Sequence, residues 1–255
     1  MLIDIRPRIF KPTFDSAEID WRHPLARGLR DCWILNEGAG NRLMNLARPV
    51  DATASSGSFV WSVRRSGFGI DPAGGSNQAS YGSTTYAIPN SFVIEVIFQA
   101  SPNYVVWGGS GVYSIYVDGT NFNAADGTDN GSVAHNGITT GQTYQITHVR
   151  GPGANNARYY KNAIDLGTAS MPNNASYVLS TLGALAAGTF RLDGKILRAF
   201  SYSRMLSQSE VTWLLAEPHA FLRPKPSVRF WSTPTAGAAA SVVTPRSLAL
   251  LGVGS

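Results

Sequence analysis

The sequence predicts an all-β chain, an antiparallel β-sandwich with one short helix near the C-terminal end and extended terminal arms. Three observations carry that expectation. Short stretches of alternating apolar and polar residues recur along the chain, which is the two-residue period of half-buried strands. Asp118-Gly119, Asp126-Gly127, Asn130-Gly131, Asn136-Gly137 and Asp193-Gly194 supply turn pairs that tolerate positive φ. Strong helical periodicity occurs in one place, Ser207 to Leu215. A chain of 255 residues can hold one large β-domain or two smaller ones, and all-β sandwiches commonly reach this size as one unit.

In chain order, the first two dozen residues read as an irregular arm, broken by Pro7, Pro12 and Pro24. Strands are expected at 30–35, 59–63, 67–70, 79–81, 92–100, 104–107, 112–117, 143–150, 157–162, 178–182 and 195–203. In the last of these, Ile196, Arg198, Phe200 and Tyr202 alternate with Leu197, Ala199, Ser201 and Ser203. The period then changes. Ser207 is a good N-cap and Glu210 stands three residues on, the spacing of a capping box, while Val211, Leu214 and Leu215 give the helix an apolar side. After Pro218, prolines at 224, 226 and 234 break regular structure, a small-residue stretch follows, and an apolar segment closes the chain.

The strand-to-helix junction at Asp193 to Leu215 resembles the closing segment of laminin-G-like, concanavalin-A-like jelly rolls. Residues His23 to Gly40 are similar to the first strand of those domains, Ser91 to Phe98 to their central strand, and Arg158 to Gly167 to their aromatic hairpin. The likeness spans Gly28 to Glu217, so residues 1–27 are expected to be an N-terminal arm, 28–217 the sandwich and 218–255 a Pro-rich extended C-terminal arm. With its basic, Pro-rich end, the chain most resembles laminin-G-like proteins of tailed bacteriophages.

Composition narrows the function classes. Lys and Arg number 21 against 16 Asp and Glu, and the excess lies towards the two ends, at Arg6, Arg8 and Lys11 and at Arg223, Lys225, Arg229 and Arg246. Basic residues interleaved with prolines suit docking arms or solvated tails better than a nucleic-acid groove, so no nucleic-acid partner is expected. The single Cys32 lies in an apolar run, which excludes an intramolecular disulfide framework and suggests a buried thiol. No signal peptide and no membrane-spanning run is visible, so synthesis in a cytoplasm is expected, and the phage resemblance implies a host cytoplasm and residence in a virion.

Catalysis finds little support. A retaining glycosidase needs two carboxylates about 5–5.5 Å apart. The central strand offers only Glu95 between Ile94 and Val96, and His23, His135, His148 and His219 are scattered without a nucleophile motif. The expectation is therefore a non-enzyme with no catalytic residues and no cofactor, Ca²⁺ excepted. The resemblance implies that a loop edge can hold that ion, and Asp118, Asp126 and Asp129 are its candidate ligands beside Asn121, Asn123 and Asn130; ordinary turn chemistry explains them equally. A glycan surface would combine aromatic rings with amides, and Tyr104, Trp107, Tyr113, Tyr116 and Asn121 supply both; core packing is the other role open to those rings. Leu248, Leu250, Leu251 and Val253 form a candidate assembly arm, suited to adding a strand to a neighbouring sheet. Together with the resemblance, these features imply a structural virion protein of a phage tail or tail tip, displaying a lectin-like sandwich to host surface polysaccharide. Its partners would be other virion proteins and, where copies associate, itself. A capsid decoration protein and a glycan-degrading enzyme are the alternatives.

Overall fold

The computed structural model describes residue 12 and residues 17–55, 58–64, 67–72, 78–100, 104–110, 113–186 and 188–225. By its internal contacts the chain divides into two units, Met1–Lys225 and Pro226–Ser255. The first holds every described element. The strands are β1 (Ala17–Ile19), β2 (Leu29–Trp33), β3 (Arg42–Leu43), β4 (Ala52–Ala54), β5 (Val60–Arg64), β6 (Gly67–Asp71), β7 (Ala79–Tyr86), β8 (Asn90–Phe98) and β9 (Tyr104–Gly109). They continue with β10 (Tyr113–Val117), β11 (Asn121–Asp126), β12 (Asn130–Ala134), β13 (Thr143–Arg150), β14 (Ala157–Lys161), β15 (Ile164–Ala169), β16 (Tyr177–Leu182), β17 (Gly194–Tyr202) and β18 (Leu222–Pro224). The helix α1 (Gln208–Ala216) lies between β17 and β18, and a 3-10 turn covers Pro24–Ala26.

Two sheets form the sandwich. Sheet I runs β12-β11-β10-β9-β16-β7-β4-β3, and sheet II runs β15-β14-β13-β8-β17-β6-β5 with β2 also paired to β17. All pairings are antiparallel. The inner faces enclose one core, in which Trp33, Phe92, Trp107, Tyr159 and Tyr177 are wholly or almost wholly buried. Phe92 stands at its centre, with the rings of Tyr86, Trp107 and Tyr177 edge-on to it at 4.9–5.7 Å between centroids. Such geometry aligns positive ring edges with negative faces.

A second apolar cluster lies on the outer face of sheet II, where Val93, Val149, Tyr160, Phe200 and Tyr202 meet Leu25, Leu206, Val211, Leu214 and Phe221. This cover explains why β17 is buried along both faces. Its plain alternation does not translate into a wet face and a dry one, and a register shift between Ile196 and Arg198 changes its phase. Arg198, on the covered face, meets Glu95 of β8 at 3.1 Å. The isolated carboxylate of the central strand is thus half of a buried ion pair.

The two ends of the described chain differ from the extended arms expected. β1 pairs with β18, and Ile19, Leu25, Ala220 and Leu222 join the outer cluster, so residues 17–27 and 218–225 pack into the compact unit. Apolar side chains at these positions outweigh the prolines between them. The basic residues Arg6, Arg8 and Lys11 and the assembly residues Leu248, Leu250, Leu251 and Val253 lie outside the described residues.

β11 and β12 are strands where turn residues suggested loop. Phe122 and Ala124 point into the core, Asn121, Asn123 and Ala125 point out, and backbone pairing with β10 and β12 on either side holds the register. Sheet context overrides the poor strand propensity of Asn and Asp. The helix begins as its sequence indicates: the Ser207 side chain accepts from the Glu210 N–H, and the Glu210 carboxylate accepts from the Ser207 N–H. Val211 and Leu214 are buried, whereas Leu215 is exposed. Cys32 is fully buried, and burial first, then the neighbouring Asp31, push its thiol pKa far up.

Candidate functional site

The outer face of sheet II carries two clefts separated by the segment that links β17 to α1. One register row crosses this face: Thr168, Arg158, Val149, Ser91, Tyr202 and Leu29 face one another across six strands, the first three lining one cleft and the last two adjoining Ser203 and Gly28 of the other. Ser91 pins the ridge between the clefts. Its buried hydroxyl donates to the Arg204 carbonyl at 2.8 Å and accepts from the Leu206 N–H at 3.0 Å.

On one side of the ridge lies a cleft of about 650 Å³, lined by Pro24, Arg27, Gly28, Ser203, Arg204 and Glu210. Arg204 is held rigidly. Its guanidinium donates to the Arg27 carbonyl at 2.6 Å and to the Met205 carbonyl at 3.2 Å, and it pairs with Glu210 at 2.7 Å. Burial alone would raise the Glu210 pKa, but hydrogen bonds from Arg204 and Ser207 outweigh it and hold the carboxyl below its ordinary value. Gly28 has φ +71°, and a Cβ there would come within 3.1 Å of the Arg204 side chain. A side chain at position 28 would therefore press on the Arg204 stem and take up a strained backbone conformation.

An aromatic shelf borders this cleft. Trp213 follows Glu210 by one helical turn and is 38% exposed, and its ring meets that of His23 at 4.9 Å between centroids. His23 adjoins the lining residue Pro24 and is fixed by accepting the Leu25 N–H on Nδ1 at 3.2 Å. Trp21, two residues before His23, is 58% exposed. An exposed indole beside fixed guanidinium, carboxylate and hydroxyl groups combines a stacking surface with hydrogen-bond donors and acceptors. The other cleft contains the Arg158 side chain and lies across the ridge.

The residues expected to bind glycan fall elsewhere. Trp107 is a correction: it is wholly buried, with its indole N–H donating to the Tyr81 hydroxyl at 2.7 Å, and has no face to offer a sugar. Tyr116 and Asn121 lie on the outer face of sheet I, where Tyr116 opposes Asn123 and accepts weakly from the Asn130 amide at 3.5 Å. Tyr104 and Tyr113 are strand residues of the same sheet, opposite Val117 and Asp126.

The three candidate calcium ligands are engaged by the protein itself. Asp118 accepts from the backbone of Thr120 and Asn121 and from the Asn123 amide. These hydrogen bonds overcome its desolvation and lower its pKa. Asp126 lies at the far end of β11, about 16 Å along the strand from its start. It pairs with buried Arg150 at 2.5 Å, while Asp129 accepts from Asn173 at 2.6 and 2.7 Å. Among the described residues no cluster of three or more His, Cys, Asp or Glu side chains suits a metal ion.

Sequence reading missed the shelf, although one signal was present. At about 100° per residue, Trp213 falls about 200° from Val211, on the side of the helix opposite its buried face. Arg27, Gly28 and Arg204 carried no such signal, because only the pairing of β2 with β17 brings them together.

No protein-family model matches the sequence, and no curated protein matches it. Solved structures do. Domain 4 of AbnA, a GH43 extracellular arabinanase from Geobacillus stearothermophilus solved with arabinotriose, has a TM-score of 0.60 at 14% identity, over 79% of this chain and 99% of that one. The sialidase of Trypanosoma rangeli has a TM-score of 0.54 at 12% identity, over 76% of this chain and 33% of that one. A mutant of it displaying trans-sialidase activity has a TM-score of 0.55 at 13% identity, over 75% and 33%. The fold is a concanavalin-A-like β-sandwich. The chain spans about a third of the length of the sialidases it matches. These findings correct the expectation of a phage structural role, in both its tail and its capsid forms: the sandwich is shared with parts of glycan-active proteins.

Proposed function

We propose that this chain is a carbohydrate-binding domain of a protein that acts on glycans, and that the shelf and cleft around Trp213 are where it holds the sugar chain. The observation that carries the reading is the exposed Trp213 ring, fixed against His23 at the rim of a cleft lined by Arg27, Ser203, Arg204 and Glu210. A pyranose or furanose presents an apolar C–H face to such a ring and its hydroxyls to the polar groups beyond. The fold neighbours support the same reading, since the arabinanase domain is matched over nearly all its length and holds arabinotriose.

Holding is favoured over cleavage by the chemistry of the clefts. Hydrolysis by the common mechanism needs two carboxylates across the scissile bond. Glu210 is the one carboxylate among the described lining residues of this cleft, and it is committed to Arg204 and the helix cap. Titrating the full chain with arabinotriose and with xylo- and gluco-oligosaccharides, followed by tryptophan fluorescence, tests the proposal. Saturable binding that falls about tenfold or more in Trp213→Ala is expected. Unchanged binding in Trp213→Ala and Arg27→Ala refutes the site, and new reducing ends released by the parent chain refute the non-catalytic reading.

A further inference from the structure

The cleft on the other side of the ridge differs in chemistry from the shelf. Its volume is about 460 Å³, within the range of roughly 300–1,000 Å³ of small-molecule sites. Its floor is apolar: Val149 and Leu206 are 1% and 3% exposed, and Met205, 45% exposed, forms one wall. Gly151 permits that wall, because a Cβ there would stand 2.7 Å from the Met205 sulfur. The polar side is built from Arg158, Thr168, Asn155, Asn156 and Gln208.

Arg158 gives the cleft its sign. It projects from the middle of the row Val149–Arg158–Thr168, and its side chain is 47% exposed. A hydrogen bond from its guanidinium to Tyr160, then the charge of Asp165 at 3.4 Å, raise its pKa further above the ordinary value. Asp165 is a loose partner and does not line the cleft, and no acidic residue is among the described residues that do. A guanidinium carries five N–H donors in a planar fork, so the bond to Tyr160 and the long contact to Asp165 leave most of them for a ligand. The turn that presents Asn155 and Asn156 is itself tied down, with the Gly151 N–H donating to the Asn156 carbonyl at 3.0 Å and the Gly153 N–H to the Asn174 side chain at 2.7 Å. Pre-set donors of this kind favour binding by limiting what must be ordered.

We infer that this cleft is a second, separate site that takes a carboxylate-bearing sugar, a hexuronic acid unit, with the carboxylate on Arg158 and the C–H face on Val149 and Met205. The amides of Asn155 and Gln208, the amide oxygen of Asn156, whose N–H is held by the Pro152 carbonyl, and the Thr168 hydroxyl meet the ring hydroxyls. The sugar part of this assignment rests on the glycan-binding reading, and the carboxylate part rests on Arg158. The domain then holds an acidic unit on one side of the Ser91 ridge while the Trp213 shelf holds a neutral stretch on the other.

The test is an NMR titration of the full chain with methyl glucuronoside, methyl glucoside and acetate, following the side-chain amides of Asn155, Asn156 and Gln208. The glucuronoside should shift these amides at saturable concentrations, with the glucoside weaker by about tenfold or more for want of the charge-assisted bidentate contact, and acetate weaker by a similar factor for want of the ring contacts. Arg158→Met should abolish the preference, Gln208→Trp should block the cleft from an exposed helix position, and Trp213→Ala should leave the titration unchanged. Matching melting temperatures for the variants establish that they fold. Equal binding of glucoside and glucuronoside overturns the carboxylate assignment, and acetate binding as well as the glucuronoside reduces the site to a simple anion site. Failure of the glucuronoside while arabinotriose or another neutral oligosaccharide binds at the shelf defeats this inference alone. Failure of every sugar defeats both readings.

Discussion

Ser91→Ala is the substitution that probes the site's architecture most directly. The hydroxyl is fully buried and makes two main-chain hydrogen bonds, to the Arg204 carbonyl at 2.8 Å and from the Leu206 N–H at 3.0 Å. Arg204 is partly exposed, so water can replace the first bond, but Leu206 is 3% exposed and its N–H would be left without a partner. An orphaned buried donor costs about 1–3 kcal/mol, and that is the expected loss of stability. Freed from its pin, the ridge shifts, and because both clefts take a wall from it, affinity should fall about tenfold on both sides. Urea unfolding monitored by tryptophan fluorescence measures the first effect. Titration with arabinotriose and methyl glucuronoside, where the variant is still folded, measures the second. The exposed Ser203→Ala, whose hydroxyl reaches the Gly28 carbonyl at 3.2 Å, serves as the control and should stay within about 0.5 kcal/mol of the parent. A Ser91→Ala loss below about 0.5 kcal/mol, or a change confined to one cleft, refutes the idea that Ser91 organises both.

Further outcomes follow from the core and the helix. Trp107→Ala should cost about 3–5 kcal/mol in chemical denaturation, since it empties a buried indole site and removes one hydrogen bond of the Tyr81 hydroxyl; a folded variant as stable as the parent would contradict its place in the core. His148 is fully buried with Nε2 2.8 Å from the Tyr177 hydroxyl, and burial, aided by the Arg150 charge, lowers its pKa from 6.5 to about 3. Because the unfolded imidazole protonates near 6.5 and the folded one near 3, this stability is complete above pH 6.5 and drains as pH falls towards 3. The slope attributable to it is at most about 1.4 kcal/mol per pH unit, and urea midpoints between pH 7 and 4 should show it reduced in His148→Gln. Ser207→Ala removes half of the capping box and should cost about 1 kcal/mol in thermal unfolding, with weaker binding at the shelf because Glu210 loses a hydrogen bond that orients it.

Local chemistry made much of the fold legible. The strand Thr143–Arg150 coincides with the expectation from its alternation, and the helix cap at Ser207 and Glu210 forms as its residue types require. β11 was not legible, because Asn and Asp signal turns in isolation and become strand residues only between two paired neighbours. Trp107 and Trp213 show the same limit in the site. Both are tryptophans next to apolar residues, yet one faces the opposite sheet and the other solvent beside His23.

By itself the sequence determined the all-β class, the turns, the capped helix and the absence of a disulfide framework, because each depends on residues close together in the chain. Tertiary structure alone decided where the site lies. Arg27 and Arg204 are far apart in sequence and become neighbours through the β2–β17 pairing, and Arg158, Val149 and Thr168 align through the register of three strands. Register and long-range pairing are set by the burial of whole faces, and no local pattern encodes which side chains those faces bring together.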